Sequence, residues 1–384
     1  MFSNKYGNKT KPHQTSKTKR LCPEDASDTH VGTAASAVEA KLALSLSNGP
    51  SEAASEQKAG KPSMQDQDMR QHQTPRAVAV IGELNVDLIA SGLTSAPILG
   101  QEVLAEDFQT VLGGASAIFA CGAARLGHPV SFFSKVGDDD YGHFCLNALQ
   151  KAGISTKNVA QVATSKTGVT ISLSTRHDRA LVTVLGAISE LRHKDLDLQA
   201  LRGHSHLHMT SFFLQTALRP SFPQILRQAR KMGLTTSFDP NSDPMSSWGP
   251  DVWRVIDETT ILFINQEEAL HLTRKKNVRE ALQQLSERAP CVVVKLGPRG
   301  AVAAAAGQVV SAPPFKVGPV DTTGAGDSFA AGFVHAFLSG RDLHGCLVEG
   351  NACGALSTQQ VGGTAGQPDL MSLENFLRRD RQRQ

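Results

Sequence analysis

Residues 319–340 read PVDTTGAGDSFAAGFVHAFLSG. Thr323, Gly324, Ala325 and Gly326 form a small-residue loop, and behind it Phe329, Ala330, Phe333, Val334 and Phe337 recur at helical spacing. The chain therefore runs from the loop straight into a helix. Amides in a first helical turn lack intrahelical acceptors and the dipole is positive there, so such an end attracts anions. Glycine and alanine also let a phosphate approach the backbone closely. Asp327 falls in that first turn, where a carboxylate can take a proton from an attacking hydroxyl while amides hold phosphoryl oxygens. The plain alternative is a helix that starts with an acidic residue. Other phosphate motifs are absent: there is no GxxxxGK[ST], and GxGxxG would need glycine where Phe329 stands.

Working outward, Ala77–Gly82 (AVAVIG) is a continuous apolar run ending in glycine, as expected for a strand buried on both faces. Ser131–Val136, Leu234–Phe238, Ile261–Ile264 and Cys291–Leu296 repeat the pattern. Helical segments lie between several of them: Ala115–Leu126 before Gly127, Tyr141–Ala152 before Gly153, and Pro220–Met232 before Gly233. Glycine directly after each is the expected C-terminal cap. Strands alternating with helices imply right-handed crossovers and a mostly parallel sheet covered on both faces. Leu88–Leu112 and Thr167–Val184, the latter turning at Arg176–Arg179, break this alternation and read as β excursions outside the main sheet, a small lid.

The 384-residue chain is 40% hydrophobic and 20% charged, enough for a sizeable core. Its net charge of +3 is too balanced to indicate nucleic-acid binding, and no apolar run is long enough for a membrane helix. Residues 1–75 differ: rich in Ser, Thr, Gln, Lys and Ala, they hold only two aromatics, Phe2 and Tyr6. The composition predicts a disordered tail, with at most a transient helix over Ala34–Leu46, ahead of a folded domain at 76–384. Its first 23 residues are basic but lack an apolar stretch or a clear amphipathic face, which argues against targeting. The six scattered cysteines, Cys22, Cys121, Cys145, Cys291, Cys346 and Cys353, suit a reducing cytoplasm. His204, His206 and His208 alternate along one segment, and read better as strand residues than as metal ligands.

From Asp321 to Asp327 the sequence resembles the C-terminal signature of the PfkB (ribokinase-like) carbohydrate kinases, Asp-Thr-x-Gly-Ala-Gly-Asp before a helix. The resemblance extends over residues 77–377. It implies a three-layer α/β/α sandwich with a mostly parallel central sheet and a small β-lid, its lid strands within about 88–112 and 167–184. It implies ATP-dependent phosphorylation with Asp327 as catalytic base and Gly324, Ala325 and Gly326 as the anion hole. Asp321 and Thr323 resemble ligands of a monovalent cation such as K⁺. Asn265-Gln266-Glu267-Glu268 resembles the Asn-x-x-Glu motif tied to Mg²⁺ and phosphate, with Glu268 acting through water; the same residues also fit a helix-capping box. Lys295-Leu296-Gly297-Pro298-Arg299-Gly300 resembles the nucleotide region, with lysine where the family usually has Thr or Ser. Asn351 matches a position near the adenine.

On the substrate side the resemblance points to Asp87, a carboxylate suited to a vicinal diol, and to the paired Gly113 and Gly114; Ser116 or Asn85 is the alternative source of the contact that the family's Asn makes and Ile118 does not. Gly137–Gly142 matches a family turn in which Asp138, Asp139 and Asp140 read as helix capping rather than metal binding. Ile118 stands where the family has a sugar-binding Asn, and Phe212 and Phe213 suggest an apolar wall; both lean toward a nucleoside-like or modified-sugar substrate. Asp239-Pro240-Asn241 resembles an element that shapes the phosphate site. The expected function is a carbohydrate kinase acting on a small-molecule sugar. The alternatives are a nucleoside kinase, or a sugar-responsive binding protein without catalysis. The lid offers a surface for a homodimer.

Overall fold

The computed structural model describes residues 76–175 and 179–382. The expected tail at 1–75, Ala34–Leu46, Cys22 and the turn at 176–178 lie outside the described residues.

Thirteen strands and nine α-helices are found among them. The core of the main sheet is seven parallel strands: β1 (Val78–Ile81), β4 (Val130–Gly137), β5 (Ser155–Val162), β8 (His206–Thr210), β9 (Thr235–Asp239), β10 (Ile261–Asn265) and β11 (Cys291–Lys295). Two antiparallel strands, β12 (Ala301–Ala305) and β13 (Gln308–Ala312), extend one edge, so the order is β13-β12-β11-β10-β9-β8-β1-β4-β5. The continuous apolar runs follow from cover on both faces. Val78 and Val80 face one core while Ala79 and Ile81 face the other, and Ile261/Phe263 and Leu262/Ile264 divide the same way. The first core holds α1 (Ala115–Arg125), α2 (Asp140–Lys151), α7 (Ala325–Leu338) and α8 (Leu343–Ser357). The second holds α3 (Phe222–Lys231), α4 (Pro250–Ile256), α5 (Gln266–Thr273) and α6 (Val278–Ser286). The last helix, α9 (Leu370–Arg381), inserts Leu373 beside α8.

Gly127, Gly153 and Gly233 close α1, α2 and α3 with φ of 89°, 78° and 87°. In each, two successive amides turn back to the last helical carbonyls, such as Gly127 to Ala124 and His128 to Ala123. A left-handed residue is what this closure requires, and it aims the chain back into the next parallel strand. The helix expected from Pro220 begins instead as a 3-10 turn, Arg219–Ser221, and turns α-helical at Phe222.

The two β excursions form a four-stranded sheet, β3-β2-β6-β7, from β2 (Asn85–Leu93), β3 (Asp107–Gly113), β6 (Gly168–Thr175) and β7 (Arg179–Val184). The lid starts at Asn85, before the expected Leu88, because the chain leaves β1 and re-enters extended structure within a few residues. Asp139 caps α2, accepting from Gly142 N at 2.8 Å, and also accepts from Thr167 N at 2.9 Å and Thr167 Oγ1 at 2.6 Å. The aspartate turn is therefore a cap that anchors the root of β6.

The described cysteines are free and buried. His206 and His208 are buried in β8 and share the Ser237 hydroxyl at 2.7 Å, while His204 reaches Ser131 Oγ at 3.0 Å. Burial pushes the His206 pKa down to about 3 and that of His208 also down. His206 and His208 are neutral strand residues within a hydroxyl network, whereas His204 lies just before β8.

Candidate active site

The strand order sets neighbouring C-terminal ends side by side. Lys295 ends β11, Asn265 ends β10, Asp239 ends β9, Ser211 follows β8 and Glu83 follows β1. Carboxyl ends of a parallel sheet are where open α/β folds place ligands. Helix α7 begins against this row, with Gly324 as its N-cap and Asp327 in its first turn.

Asp327 is nearly buried. Burial first, then the carboxylates of Asp239, Glu83 and Glu268, push its pKa well above the usual range, while Lys295 pulls it down. Lys295 bonds to Asp239, which is buried, and the carboxylates of Asp239, Glu268 and Asp327 outweigh the desolvation of its ammonium and keep it charged. A Cβ on Gly326 would stand 3.1 Å from Lys295 Nζ, so Gly326 gives room to this lysine in the turn assigned to the anion hole. Gly324 has φ of 70°, and a Cβ there would meet Ile118 Cγ2 at 2.8 Å and Gly363 Cα at 2.9 Å. Ala325 N donates to Thr322 O at 3.3 Å.

Ile118, the apolar residue at the position of the family's Asn, is buried and packs directly against the Gly324 turn. Phe212 and Phe213 correct the expectation of an apolar wall. They pack in the core against Phe222, Phe238 and Trp248, under the Arg219 guanidinium. An apolar side chain beside a strand end fills the interior whenever a helix covers it, and α3 covers these.

Asn265 and Glu268 form a reciprocal cap on α5: Glu268 N donates to Asn265 Oδ1 and Asn265 N to Glu268 Oε2, both at 2.9 Å. Ser242 Oγ lies 3.4 Å from the other Glu268 oxygen. Burial and Asp239 raise the Glu268 pKa, and Lys295 lowers it. Among the described residues no group of three or more His, Cys, Asp or Glu is arranged to hold a metal ion. The donor set still fits Mg²⁺: several buried carboxylates share the single ammonium of Lys295, and the charge left over would suit a hydrated ion.

On the lid side, Asn85 Nδ2 donates to Asp87 Oδ1 at 2.8 Å and lies 3.3 Å from Thr170 Oγ1. Gly113 pairs with Asn85 in the sheet, and a Cβ on it would fall 2.0 Å from Asp87 Oδ1. Gly114, at φ 91°, would strike Asn85 Oδ1. These four residues therefore form one unit. Burial raises the Asp87 pKa to about 6 against the Asn85 bond and the Arg179 charge. Ser116 is fully buried, and its amide (3.1 Å) and hydroxyl (2.6 Å) donate to Glu83, as does Ser211 Oγ (2.6 Å). Burial raises the Glu83 pKa despite these bonds.

Asp321 accepts from Thr323 N (2.9 Å), Thr323 Oγ1 (2.7 Å) and Gly362 N (2.9 Å). Arg179 of the lid donates to Thr323 Oγ1 and stands 3.6 Å from Asp321. Gly297 and Gly300, at φ 58° and 86°, shape the β11–β12 turn. Asn351 Nδ2 donates to Pro313 O at 2.9 Å and Ala312 O at 3.2 Å, tying α8 to the strand that Gly300 faces.

Glu83, Ser211 and Arg179 were not among the residues expected from sequence. Of these three, Ser211 carries a local signal, left-handed backbone at a non-glycine position (φ 54°), which Asn241 shares and which is visible only in the structure. Asn241 Oδ1 accepts from Ser211 N at 3.0 Å and locks the two turns together.

A doubly covered parallel sheet, a four-stranded lid, and a helix N-terminus set against buried carboxylates define the ribokinase-like class. The chain belongs to the pfkB family of carbohydrate kinases, whose profile, described as "pfkB family carbohydrate kinase", matches residues 75–370. It is 30% identical to the ribokinase of Bacillus subtilis (strain 168), over 79% of this chain and 99% of that protein. A putative ribokinase II from E. coli, solved in complex with ATP and Mg²⁺, superposes with a TM-score of 0.72 at 27% identity, covering 79% of this chain and 99% of that one. Ribokinase from Arabidopsis thaliana, complexed with ribose and ATP, gives 0.69 at 25% identity with the same coverage.

Proposed function

We propose that residues 76–384 form an ATP-dependent kinase domain that transfers the γ-phosphoryl group to a hydroxyl of a sugar or sugar-like small molecule. The observation that carries this is the position of Asp327: a buried carboxylate with a raised pKa, in the first turn of α7, facing the carboxyl ends of the sheet. A raised pKa suits a general base that works near neutrality. Asp327 takes the proton as the acceptor oxygen bonds to the γ-phosphorus and the bond to ADP breaks. The Gly324–Gly326 turn receives the phosphoryl oxygens, beside Lys295.

Asn85, Asp87, Gly113 and Gly114 hold the acceptor hydroxyls, and Ser116 acts through Glu83. Gly297, Gly300, Asn265 and Asn351 shape the nucleotide side. Glu268 holds Mg²⁺ through water; the ion, when bound, offsets charge on the phosphates. At Asp321 and Thr323 a monovalent cation competes with Arg179. Phe212 and Phe213 lie in the core, so they lend no support to a nucleoside over a sugar. The intact Asp327 and Glu268 weigh against a binding protein without catalysis. One lid face exposes Phe108, Ile171, Val182 and Val184, which supports a homodimer through the lid.

The direct test is ADP release across a panel of sugars, keto-deoxy sugar acids and nucleosides. Acceptor-dependent ADP release is expected for at least one sugar-like compound. No turnover across the panel would refute the reading.

A further inference from the structure

We propose that Lys295 is a catalytic residue whose ammonium leaves Asp239 to hold the transferred phosphoryl group over the first turn of α7. This rests on the kinase reading above.

Four observations carry the inference. First, Lys295 ends β11 and its ammonium lies against Gly326, so the cation already stands in the turn proposed to receive the phosphoryl oxygens. Second, the pair is lopsided: the Lys295 side chain is 14% exposed and that of Asp239 is 1% exposed. The lysine side chain keeps some exposed surface, and the carboxylate almost none. Third, one ammonium serves three carboxylates, since Asp239, Glu268 and Asp327 all act on it. Fourth, Asp239 keeps a donor when the lysine departs, because Asn241 N donates to its other oxygen at 3.2 Å.

A purely structural role explains these less well. Buried ion pairs add little stability on balance, because desolvation offsets attraction, and an apolar pair fills the same space. An ammonium beside a phosphoryl group, in contrast, offsets charge where it develops in the transition state. The usual Thr or Ser at this position has only a hydroxyl to offer. In the transfer itself the acceptor oxygen bonds to the γ-phosphorus, the bond to the bridging oxygen breaks, and its electron pair leaves with ADP. The acceptor proton goes to Asp327. Lys295 stays protonated throughout and only donates hydrogen bonds. Asp239 is then a positioning residue for Lys295.

The test is binding of Mg-ATP and Mg-ADP, each without sugar, to the full chain and to Lys295→Met. A contact with the terminal phosphate predicts that the variant loses ATP affinity about 10-fold more than ADP affinity, one strong charge contact. With an acceptor found in the panel, kcat falls about 10²–10³-fold, the usual cost of one such donor. Lys295→Met leaves Asp239 buried without its partner and risks unfolding, so Asp239→Asn/Lys295→Met is measured beside it, with melting curves for both. The double variant is expected to melt near the wild type and show the same losses. Equal losses of ATP and ADP affinity in a folded variant, or kcat within about threefold of wild type, would overturn the proposal. If the wild type turns over no acceptor, the kinase reading fails by itself, and the ATP-over-ADP comparison still decides whether Lys295 meets the terminal phosphate.

Discussion

Replacing Asp327 by Asn separates what the site does from what it costs. Asp327 sits in the first turn of α7, 9% exposed, among the carboxylates of Asp239, Glu83 and Glu268 with Lys295 as counter-ion. Two effects oppose each other. The helix N-terminus favours an anion by about 0.3–1 kcal/mol. Burial and like charge disfavour it, and the raised pKa shows that they win. The sign follows: a carboxyl whose folded pKa is raised contributes stability that is fully present below its unfolded value, near 4, and is lost as pH rises through the folded value. The neutral amide introduced by Asp327→Asn carries no such loss. The variant should therefore match the wild type near pH 4 and exceed it at pH 8, by about 1 kcal/mol, or roughly 1–2 °C in Tm for a domain this large. Turnover should move the other way. Loss of a general base removes about 10²–10⁴-fold, or about 3–5 kcal/mol of barrier. Thermal melts at the two pH values, paired with ADP release at saturating ATP, read both. A variant that melts below the wild type at pH 8, or retains turnover within tenfold, would refute the reasoning.

Three further outcomes follow from the same geometry. Asp87 has its pKa raised to about 6 and accepts two hydroxyl hydrogen bonds best when ionised, so the KM for the acceptor should rise as pH falls below that value. In Asp87→Asn, KM should be high and flat with pH; a wild-type KM unchanged from pH 8 to 5 would contradict this. Gly324→Ala adds a Cβ 2.8 Å from Ile118 Cγ2 at φ 70°. It should cost roughly 1–2 kcal/mol for the left-handed backbone and about 1–3 kcal/mol for the clash; Ile118→Ala/Gly324→Ala should return only the share due to Ile118, because the approach to Gly363 Cα at 2.9 Å remains, and an equal cost in both backgrounds would exclude the Ile118 contact. For the lid face, analytical ultracentrifugation should find a dimer, and Ile171→Glu a monomer; a monomeric wild type at micromolar concentration would dismiss it.

What was legible in the sequence was local. The spacing of Phe329, Phe333 and Phe337, the glycines at 127, 153 and 233, and the apolar run at 77–82 each depend on neighbours a few residues away. Asp327 and the Asn265–Glu268 cap are of this kind, and both lie where their spacing places them. Long-range partners were not legible. Glu83 is fixed by Ser211, 128 residues away, and Thr323 by Arg179, 144 residues away. The apolar character of Phe212 and Phe213 is plain in the sequence and their direction is not, because direction depends on what α3 brings to those positions.

The strand order accounts for this division and for the chemistry together. Parallel strands β11, β10, β9, β8 and β1 are adjacent, so each contributes one polar residue at or just past its carboxyl end, and the five stand in a row that no single segment reveals. With Glu268 and Asp327 added, the row holds four carboxylates, Glu83, Asp239, Glu268 and Asp327, acting on one another around Lys295. A fold selected for stability alone would not concentrate buried carboxylates in this way, since the desolvation of each is only partly returned. On the proposed kinase reading, Mg²⁺ would supply the missing positive charge, Lys295 would gain a second anionic partner, and Asp327 would be the carboxylate left to accept a proton. The same charge imbalance that costs the protein stability would then prepare it for a nucleotide, and Asp327→Asn and Lys295→Met probe it from opposite sides.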